Sequence, residues 1–592
     1  MGALSTGGAL RGHGLVGLTM LLVVVALSWP MLTTSTGLAQ DWPNHLWYMW
    51  RQSLNIRADG LPSLFLNADR GIFYPFYSFY GGTLYSLAGT LSLLLGNAPV
   101  KAYLLTWMLG LGASYGGFFW LARMAGVRRW LSHVPALVYV TSAYTLTLIY
   151  ARGAWPEFMA TSSIPLFIAS SLHILRRGRL TPYPALALAL STVVLTGSHN
   201  ITLLWGGTFI VLLSVAVIVF VPTGRGLFAP RRLFRWLLVA GPSVLLNAWF
   251  LLPAVAYNSR TRIGSANWSL ALQITSVLTS PARLFTLSRG TSVTTSPGIA
   301  YAPDFSLALP VVAIGWVLLG AVLLGARRRW YKDPFGRVLA ICIGLGLLFA
   351  ILLTNWRLIN DLPGPYHLVQ FPYRLETYVL FAICGAMIAL LAVDRSKISA
   401  WLGWRALLGV VVVVSVVGAA IQVAAYPSQY PDRNVVFDAS HQPPASVYDT
   451  GDYDDATLPV LSPAGAPTLT FSQTQIRSVR VRATFAVDPH QTLVQSNVLG
   501  APYLVRVVGA RVVGRTPEGF MVLRLPADHP PMVSLTVEQA ATAPIEIGRV
   551  LSVVGAAALV ALLCIAAFRW ARRRAAGREP ARASPSVSRG PA

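Results

Sequence analysis

The chain has 592 residues, of which 55% are hydrophobic and only 11% are charged, and its mean hydropathy is +0.58. Soluble globular chains carry roughly a quarter charged residues, so this composition excludes a water-soluble protein. The formal net charge of +25 would be typical of nucleic-acid binding, but the arginines cluster after every second hydrophobic run. That is the positive-inside pattern of a membrane protein, and it argues against a nucleic-acid partner.

Twelve hydrophobic runs have about the length that a helix needs to cross ~30 Å of hydrocarbon. They are 14–34, 100–123, 131–150, 158–175, 182–198, 201–222, 236–257, 305–326, 337–354, 374–393, 405–425 and 546–568. The first run lacks a clean cleavage site, so we interpret it as a retained span rather than a signal peptide. Basic clusters follow every even-numbered run, at 128–129, 176–179, 225–235, 327–329, 395–405 and 572–574. We therefore expect those loops and both termini in the cytoplasm.

Residues 73–96 are also apolar enough to be a span, but an added span would place the first basic cluster outside the cell. We therefore expect an interfacial or re-entrant segment within a long first extracytoplasmic loop, 35–99. The tyrosines of this segment suit the headgroup boundary of a membrane. They are Tyr74, Tyr77, Tyr80 and Tyr85.

The composition changes after residue 426, where short apolar runs alternate with polar residues, as in 478–487, between Pro and Gly. This pattern predicts a small extracytoplasmic β-rich domain, sandwich-like, over 427–545. It follows a transmembrane domain over 1–426 and precedes a last span at 546–568. The remaining residues, 569–592, are rich in Ala, Pro, Ser and Arg and predict a disordered basic cytoplasmic tail.

The sharpest polar motif is Asp41-Trp-Pro-Asn-His45, directly after the first run. Pro43 suits the first turn of a helix, which places Asp41 and His45 at i and i+4 on one helix face. A carboxylate beside an imidazole can act as a base and as a partner of a phosphate or metal. The alternative is an N-capping Asp and an interfacial His.

Three further polar groups fall at predicted extracytoplasmic ends of spans. Arg152 and Glu157 form either an ion pair that caps two helices or a guanidinium presented to a phosphate. His199 lies in a short turn, where the plain interpretation is only a turn. Arg374, in Gln370-Phe-Pro-Tyr-Arg374, either snorkels toward headgroups or grips a lipid-linked phosphate.

The sequence lacks a Walker-type phosphate loop, an HExxH motif and zinc-finger spacing. Its three cysteines, Cys342, Cys384 and Cys564, lie inside apolar runs and predict neither a disulfide nor a metal site.

Taken in order, these motifs resemble the GT-C superfamily of membrane glycosyltransferases. They look closest to bacterial membrane proteins labelled pyruvoyl-tetrahydropterin synthase-related. The matching pieces are Asp41 to His45, Tyr74-Pro-Phe-Tyr77, Arg152-Gly-Ala-Trp-Pro-Glu157, Ser198-His-Asn200 and Gln370 to Arg374.

The resemblance implies an inverting transfer of a sugar from a polyprenyl-phosphate donor to an envelope glycan or lipid outside a bacterial inner membrane. It also implies roles for the candidate residues. These are catalysis by Asp41 as general base and by His45, donor-phosphate binding by Arg152, His199 and Arg374, and support from Glu157, Gln370, Tyr74 and Tyr77.

No nucleotide is needed for this chemistry, and no cofactor is certain. Several GT-C branches carry a paired acidic motif where this chain has one acid, which leaves a divalent cation an open question. Two alternatives remain, a non-catalytic scaffold or envelope-assembly component that binds a partner through the β-rich domain, and a lipid or polysaccharide transporter.

Overall fold

The computed structural model describes residues 6–33, 41–68, 71–178, 180–266, 268–285, 293–296, 299–301, 306–325, 332–393, 402–424, 453–471 and 480–576. Four predictions fall outside the described residues. They are the basic clusters 327–329 and 395–397, the beginning of the predicted β-rich domain over 427–452, and the predicted tail beyond residue 576.

Helices account for most of the described chain. They are α1 Thr6–Thr33, α2 Trp42–Asp59, α3 Phe76–Phe79, α4 Gly82–Leu94, α5 Pro99–Met124, α6 His133–Val140, α7 Ala143–Leu146, α8 Trp155–Arg177, α9 Pro182–Ser198, α10 Asn200–Phe220, α11 Gly224–Leu227, α12 Pro230–Leu245, α13 Ala248–Tyr257, α14 Arg262–Ser265, α15 Ser269–Thr275, α16 Pro281–Leu284, α17 Val311–Gly325, α18 Pro334–Thr354, α19 Trp356–Asn360, α20 Glu376–Ala392, α21 Leu402–Ala424 and α22 Ala543–Ala576. A π-helix covers Thr147–Arg152, and 3₁₀ turns cover Asn258–Arg260, Ser276–Thr279, Gly364–Val369 and Pro372–Leu375.

Each of the twelve predicted runs contains helix in its described residues. Within the described residues, eight helices are long and apolar enough to cross a membrane, and two bent pairs raise that number to ten. The pairs are His133–Val140 with Ala143–Arg152, bent by 49°, and Pro230–Leu245 with Ala248–Arg260, bent by 71°. The other two runs, α9 and α17, have 17 and 15 described helical residues. At 1.5 Å per residue, α17 reaches only about 22 Å, so twelve complete crossings remain a prediction.

The helix bundle has two ends, one lined by arginines and the other containing the predicted site residues; we call the first the basic end. At the basic end, Arg176 of α8 donates to the carbonyl of Met124 in α5 at 2.8 Å, and Arg337 of α18 donates to the carbonyl of Phe220 in α10 at 2.7 Å. The N-termini of α8, α10 and α20 lie at the other end, because each chain reversal returns the next helix there. The candidate residues at 152–157, 199 and 374 therefore share one end of the bundle.

Strands form two main sheets late in the chain, which confirms a small β-rich domain there. Its strands are β5 Thr468–Leu469, β6 Arg480–Ala486, β7 Leu493–Leu499, β8 Val505–Val508, β9 Arg511–Arg515, β10 Phe520–Arg524 and β11 Met532–Gln539. Strand β11 lies antiparallel between β6 and β8, and β10 lies antiparallel between β7 and β9. A separate hairpin joins β3 Val293–Ser296 and β4 Ile299–Tyr301.

The first loop adds two strands to the late sheet. Strand β1 (Leu66–Ala68) pairs antiparallel with β2 (Gly71–Tyr74), and β2 pairs parallel with β7 through Ile72 and Val498. The first loop and the β-rich domain thus share one hydrogen-bonded sheet.

The tyrosines of the first loop face protein. Tyr77 and Tyr85 are completely buried, and Tyr74 is nearly so. The hydroxyl of Tyr77 donates to the carbonyl of Tyr48 in α2 at 2.6 Å. Protein covers Tyr74, Tyr77 and Tyr85, so the expectation that they face lipid headgroups was wrong for these three, while the interfacial position of 73–96 stays a prediction. Helix α4, with 13 residues, is too short to span the bilayer.

Candidate functional site

Asp41 lies at the start of α2, held against the end of the π-helix. Its backbone N–H donates to the carbonyl of Arg152 at 2.7 Å. Gly153 follows in a left-handed conformation with φ +63°, and a Cβ there would come within 2.8 Å of the backbone nitrogen of Trp42. Glycine therefore allows the two segments to touch. The Asp41 side chain makes no capping hydrogen bond to α2, so the N-cap alternative does not describe it.

Glu157 is the centre of a buried ion-pair network. Its Oε2 lies 3.0 Å from Nη1 of Arg152 and 3.2 Å from Nε of Arg374, and its Oε1 accepts from the Tyr144 hydroxyl at 2.6 Å. Arg152 also approaches the Asp41 carboxylate at 3.8 Å. The structure thus joins the predicted Arg152–Glu157 pair to Asp41 and Arg374, two residues from distant parts of the sequence.

Arg374 is oriented by the turn that precedes it. Its Nη1 donates to the carbonyl of Val369 and to Oε1 of Gln370, both at 3.0 Å. Gln370 has φ 60° and ψ −45°, and the N–H of Phe371 donates to the carbonyl of Val369 at 2.6 Å. This is a γ-turn with a strained central residue, a feature that clusters at functional sites. The Arg374 guanidinium lies 4.9 Å from the Phe371 ring, so it is packed against protein and does not snorkel.

His45 does not pair with Asp41, although helical spacing predicts one shared face. Its Nδ1 lies 2.7 Å from the hydroxyl of Tyr85. Burial, with a smaller contribution from Arg152, lowers the pKa of His45 to about 3. The imidazole is therefore neutral at physiological pH. It contributes a hydrogen-bonding ring to the site and no positive charge.

His199 ends the α9–α10 turn with a defined tautomer. The backbone N–H of Thr202 donates to its Nδ1 at 3.2 Å, which leaves the ring hydrogen on Nε2 of the neutral imidazole. Among the described residues this buried Nε2 has no hydrogen-bond partner. Burial, reinforced by Arg374, lowers the pKa of His199 to about 3. His199 is therefore a neutral donor whose N–H is available to a ligand.

Tyr80 is a site residue that the sequence assigned only to the membrane boundary. Its ring lies parallel to His45, with centroids 6.3 Å apart, and edge-on to His199 at 5.5 Å. Burial raises the pKa of Tyr80 above its ordinary value, so its hydroxyl stays a donor. The sequence did carry one indication of this position, the glycine pair that follows Tyr80. Gly81 has φ +61°, and a Cβ there would lie 2.8 Å from the carbonyl of Ser198, so the backbone next to Tyr80 approaches the His199 turn closely.

Two predicted supporting residues lie outside the charged network. Tyr77 bonds to α2, as described above, and Tyr74 contacts Tyr453 of the β-rich domain with ring centroids 5.5 Å apart. Tyr373 is a further neighbour that the sequence did not indicate, and its ring centroid lies 5.1 Å from the Arg152 guanidinium carbon.

The site balances two guanidinium groups, Arg152 and Arg374, with two carboxylates, Asp41 and Glu157. Of these, the Asp41 side chain keeps 37% exposure, against 4% for Arg152 and 3% for Glu157. Burial nevertheless raises the pKa of Asp41 above its ordinary value and outweighs the lowering by Arg152 and Arg374. Asp41 is therefore the most exposed of these four charged side chains, and its raised pKa favours uptake of a proton.

Within the described residues, no three His, Cys, Asp or Glu side chains are grouped so that they could hold a metal ion. The Asp41 carboxylate lies 3.8 Å from the positively charged Arg152 guanidinium, which disfavours a second cation beside it. The described residues around Asp41 therefore do not form a ligand set that fits a divalent cation.

No protein-family model and no curated protein matches the chain. Among solved structures, it is similar to the arabinofuranosyltransferase AftD from mycobacteria, with a TM-score of 0.39 and 16% identity over 72% of this chain and 27% of AftD. A mutant structure of AftD gives a TM-score of 0.43 and 16% identity over 69% and 28%. ArnT from Cupriavidus metallidurans bound to undecaprenyl phosphate gives 0.28 and 13% identity over 86% and 98%. The chain spans little more than a quarter of AftD, and likeness at this level does not decide its activity.

Proposed function

We propose that this chain is a GT-C glycosyltransferase, akin to the pyruvoyl-tetrahydropterin synthase-related membrane proteins. It moves a sugar from a polyprenyl-phosphate donor to an envelope glycan or lipid, with inversion and with Asp41 as general base. The observation that carries this proposal is the accessible Asp41 carboxylate, held 3.8 Å from the buried Arg152. A base with a raised pKa beside a fixed cation suits deprotonation of a hydroxyl as an anionic group departs.

The proposed step is a single displacement. Asp41 takes the proton of an acceptor hydroxyl, and the acceptor oxygen forms a bond to the anomeric carbon. The bond from that carbon to the phosphate oxygen breaks on the opposite face. The phosphodiester, which carries one negative charge, leaves as a phosphomonoester with two.

Charge balance explains the position of Arg152. Before the step, Arg152 faces the ionised Asp41. Once Asp41 holds the proton, that carboxyl group is neutral, and the positive charge of Arg152 is available to the second charge on the leaving phosphate. Arg374 and the Nε2–H of His199 supply further donors, while Glu157 keeps both guanidinium groups in place.

Sidedness follows from the positive-inside rule. The exposed arginines at the basic end, such as Arg128, Arg177 and Arg231, mark the cytoplasmic side. The site at the other end then opens outside the cytoplasm of a bacterial inner membrane, where lipid-linked sugars rather than nucleotide sugars are the available donors.

Turnover of a panel of polyprenyl-phosphate sugars by the purified chain tests the proposal. We expect release of lipid phosphate by the wild type and a loss of roughly 10²- to 10⁴-fold in Asp41→Asn, which keeps the shape of the side chain. The matched control is Asp488→Asn, an exposed aspartate in the loop between β6 and β7. Full turnover by Asp41→Asn contradicts the assigned base. Absence of both binding and turnover in the wild type contradicts the enzyme and favours the scaffold alternative.

The pH profile gives a second readout of the same base. Because the pKa of Asp41 is raised, kcat/KM should fall with decreasing pH at a value above the ordinary 3.8. His45 and His199, with pKa values of about 3, stay neutral between pH 5 and 8 and add no limb there. A limb between pH 6 and 7 that disappears in His45→Gln would contradict this assignment.

A further inference from the structure

The β-rich domain contacts the first loop next to the site, and Tyr453 is the residue of the domain that stacks on this loop. The Tyr453 ring stacks on Phe79 of α3, with centroids 5.0 Å apart and planes at 9°. Tyr503, from the same domain, donates its hydroxyl to the carbonyl of Tyr453 at 2.6 Å and meets Phe79 edge-on at 6.4 Å. Phe79 is thus covered by two aromatic rings of a domain that follows it by several hundred residues.

Tyr453 is held in place by the two acids that follow it. Asp454 and Asp455 are completely buried. The carboxylate of Asp454 pairs with Arg262 at 2.8 Å and with Arg515 at 3.0 Å, and that of Asp455 pairs with Arg260 at 2.5 Å. We call these five residues the clamp. It fastens the chain next to Tyr453 both to the β-rich domain and to the segment after α13.

Backbone hydrogen bonds extend the clamp on the same two sides. The N–H of Arg262 donates to the carbonyl of Asp454 at 3.2 Å, and the N–H of Ala456 donates to the carbonyl of Arg260 at 2.8 Å. The N–H of Asp455 donates to the carbonyl of Gly500, which follows β7, at 2.7 Å. Both carboxylates form their ion pairs through Oδ2, and buried ion pairs of this kind add little net stability, so we assign the clamp a role in position.

The residue after Phe79 is Tyr80, the ring between the two site histidines. Asn200, at the start of α10, donates to the carbonyl of Phe79 at 2.7 Å. On the other side of Tyr80, Gly81 lies against the carbonyl of Ser198. Tyr80 is therefore positioned from the membrane domain by residues 198–200 and from the β-rich domain through Phe79.

We propose that the β-rich domain is a positioning element of the site, in which Tyr453 holds Phe79 and thereby sets Tyr80 between His45 and His199. This inference rests on the proposed function for its effect on turnover. It assigns Tyr453 and Phe79 as positioning residues, which act through Tyr80 and not on the substrate. Small displacements of site groups are costly, since about 1 Å of misplacement can lower a rate by roughly 10²-fold.

A double-mutant cycle between the domain and the site tests the coupling. We expect Tyr453→Leu to lower kcat roughly tenfold and to change the KM for a polyprenyl-phosphate sugar little. In a Tyr80→Leu background the same change should cost less than about twofold, because the ring that it positions is gone. Phe79→Leu removes the loop partner of the same contact, so it should lower kcat to a similar extent alone and cost less than about twofold in the Tyr80→Leu background. Independent, multiplying effects of Tyr453→Leu and Tyr80→Leu overturn the proposal.

Hydrogen exchange of the full-length protein in detergent gives a readout that needs no activity. The N–H of Tyr80 donates to the carbonyl of Phe76 at 3.0 Å, and we expect its exchange to accelerate about tenfold or more in Tyr453→Leu. The control is Phe485→Leu, which disrupts an aromatic pair with Phe471 inside the β-rich domain at 5.0 Å. It should leave exchange near Tyr80 unchanged. Unchanged exchange in Tyr453→Leu overturns the coupling, whereas a wild type without turnover contradicts only the proposed function.

Discussion

Glu157 forms ion pairs with both guanidinium groups of the site, Arg152 and Arg374. Glu157→Gln keeps the shape of the side chain but leaves Arg152 and Arg374 without their shared counterion. Removing one partner of a buried pair costs about 3–5 kcal/mol, because the remaining charge stays buried. We therefore expect a clear fall in the melting temperature, measured in detergent, together with a loss of turnover.

Glu376 offers a matched control for that experiment. It is also a completely buried glutamate close to the site, but among the described residues its two carboxylate oxygens have no hydrogen-bond partner. Glu376→Gln removes no pair, so the melting temperature should stay the same or rise. Equal destabilisation by Glu157→Gln and Glu376→Gln would contradict the view that Glu157 acts through its two arginines.

Much of this residue-level arrangement could be predicted from the sequence. Ionisable groups are costly near hydrocarbon, and among those on the predicted outer side the motifs singled out Asp41, Arg152, Glu157 and Arg374. Their convergence agrees with that argument. The pairing of His45 could not be predicted, because Tyr85 reaches it from a different helix, and spacing along the chain carries no information about such a partner.

At the scale of elements, the γ-turn at Gln370 combines a strained backbone with a side chain that binds Arg374. A non-glycine residue at its φ of 60° costs of the order of 1–3 kcal/mol. Gln370→Gly relieves this strain but removes the acceptor that holds Arg374. We expect an unchanged or higher melting temperature with turnover reduced roughly tenfold, which corresponds to about 1.4 kcal/mol.

The comparison variant is Gln370→Ala, which loses the same acceptor and keeps the strained backbone. It should match Gln370→Gly in turnover and fall below it in melting temperature. Full turnover in both variants would show that the hydrogen bond from Arg374 to Gln370 has no role in the reaction.

Hydropathy predicted the helices of this chain but not their irregularities. Each of the twelve apolar runs contains helix in its described residues, since the length and apolar character of a run are local properties. The π-helix over Thr147–Arg152 depends on distant partners, such as the carbonyl of Ser306, which accepts from Thr147 at 2.8 Å. The π-helix ends at Arg152 and places this residue beside Asp41. An element that hydropathy did not predict therefore positions a central residue of the site.

At the scale of the whole molecule, the first loop and the late β-rich domain are one unit. The sequence predicted each part separately, from an apolar aromatic segment and from alternating short runs. It did not predict that β2 joins β7, because a single parallel pairing between distant segments leaves no local pattern. This pairing explains why Tyr74 is buried, since Tyr453 of the β-rich domain packs against its ring.

The separation of the basic end from the site end predicts a definite orientation in the membrane. His490 is exposed in the β-rich domain, and Arg177 is exposed at the end of α8 among the basic clusters. With Cys564 replaced by Ser, the remaining cysteines, Cys342 and Cys384, are buried. In spheroplasts, a membrane-impermeant maleimide should label His490→Cys directly and Arg177→Cys only after permeabilisation. The physical reason is that arginine-rich ends are retained in the cytoplasm during insertion. The reverse pattern would place Asp41 in the cytoplasm, where nucleotide sugars are available, and would remove the reason for a lipid-linked donor.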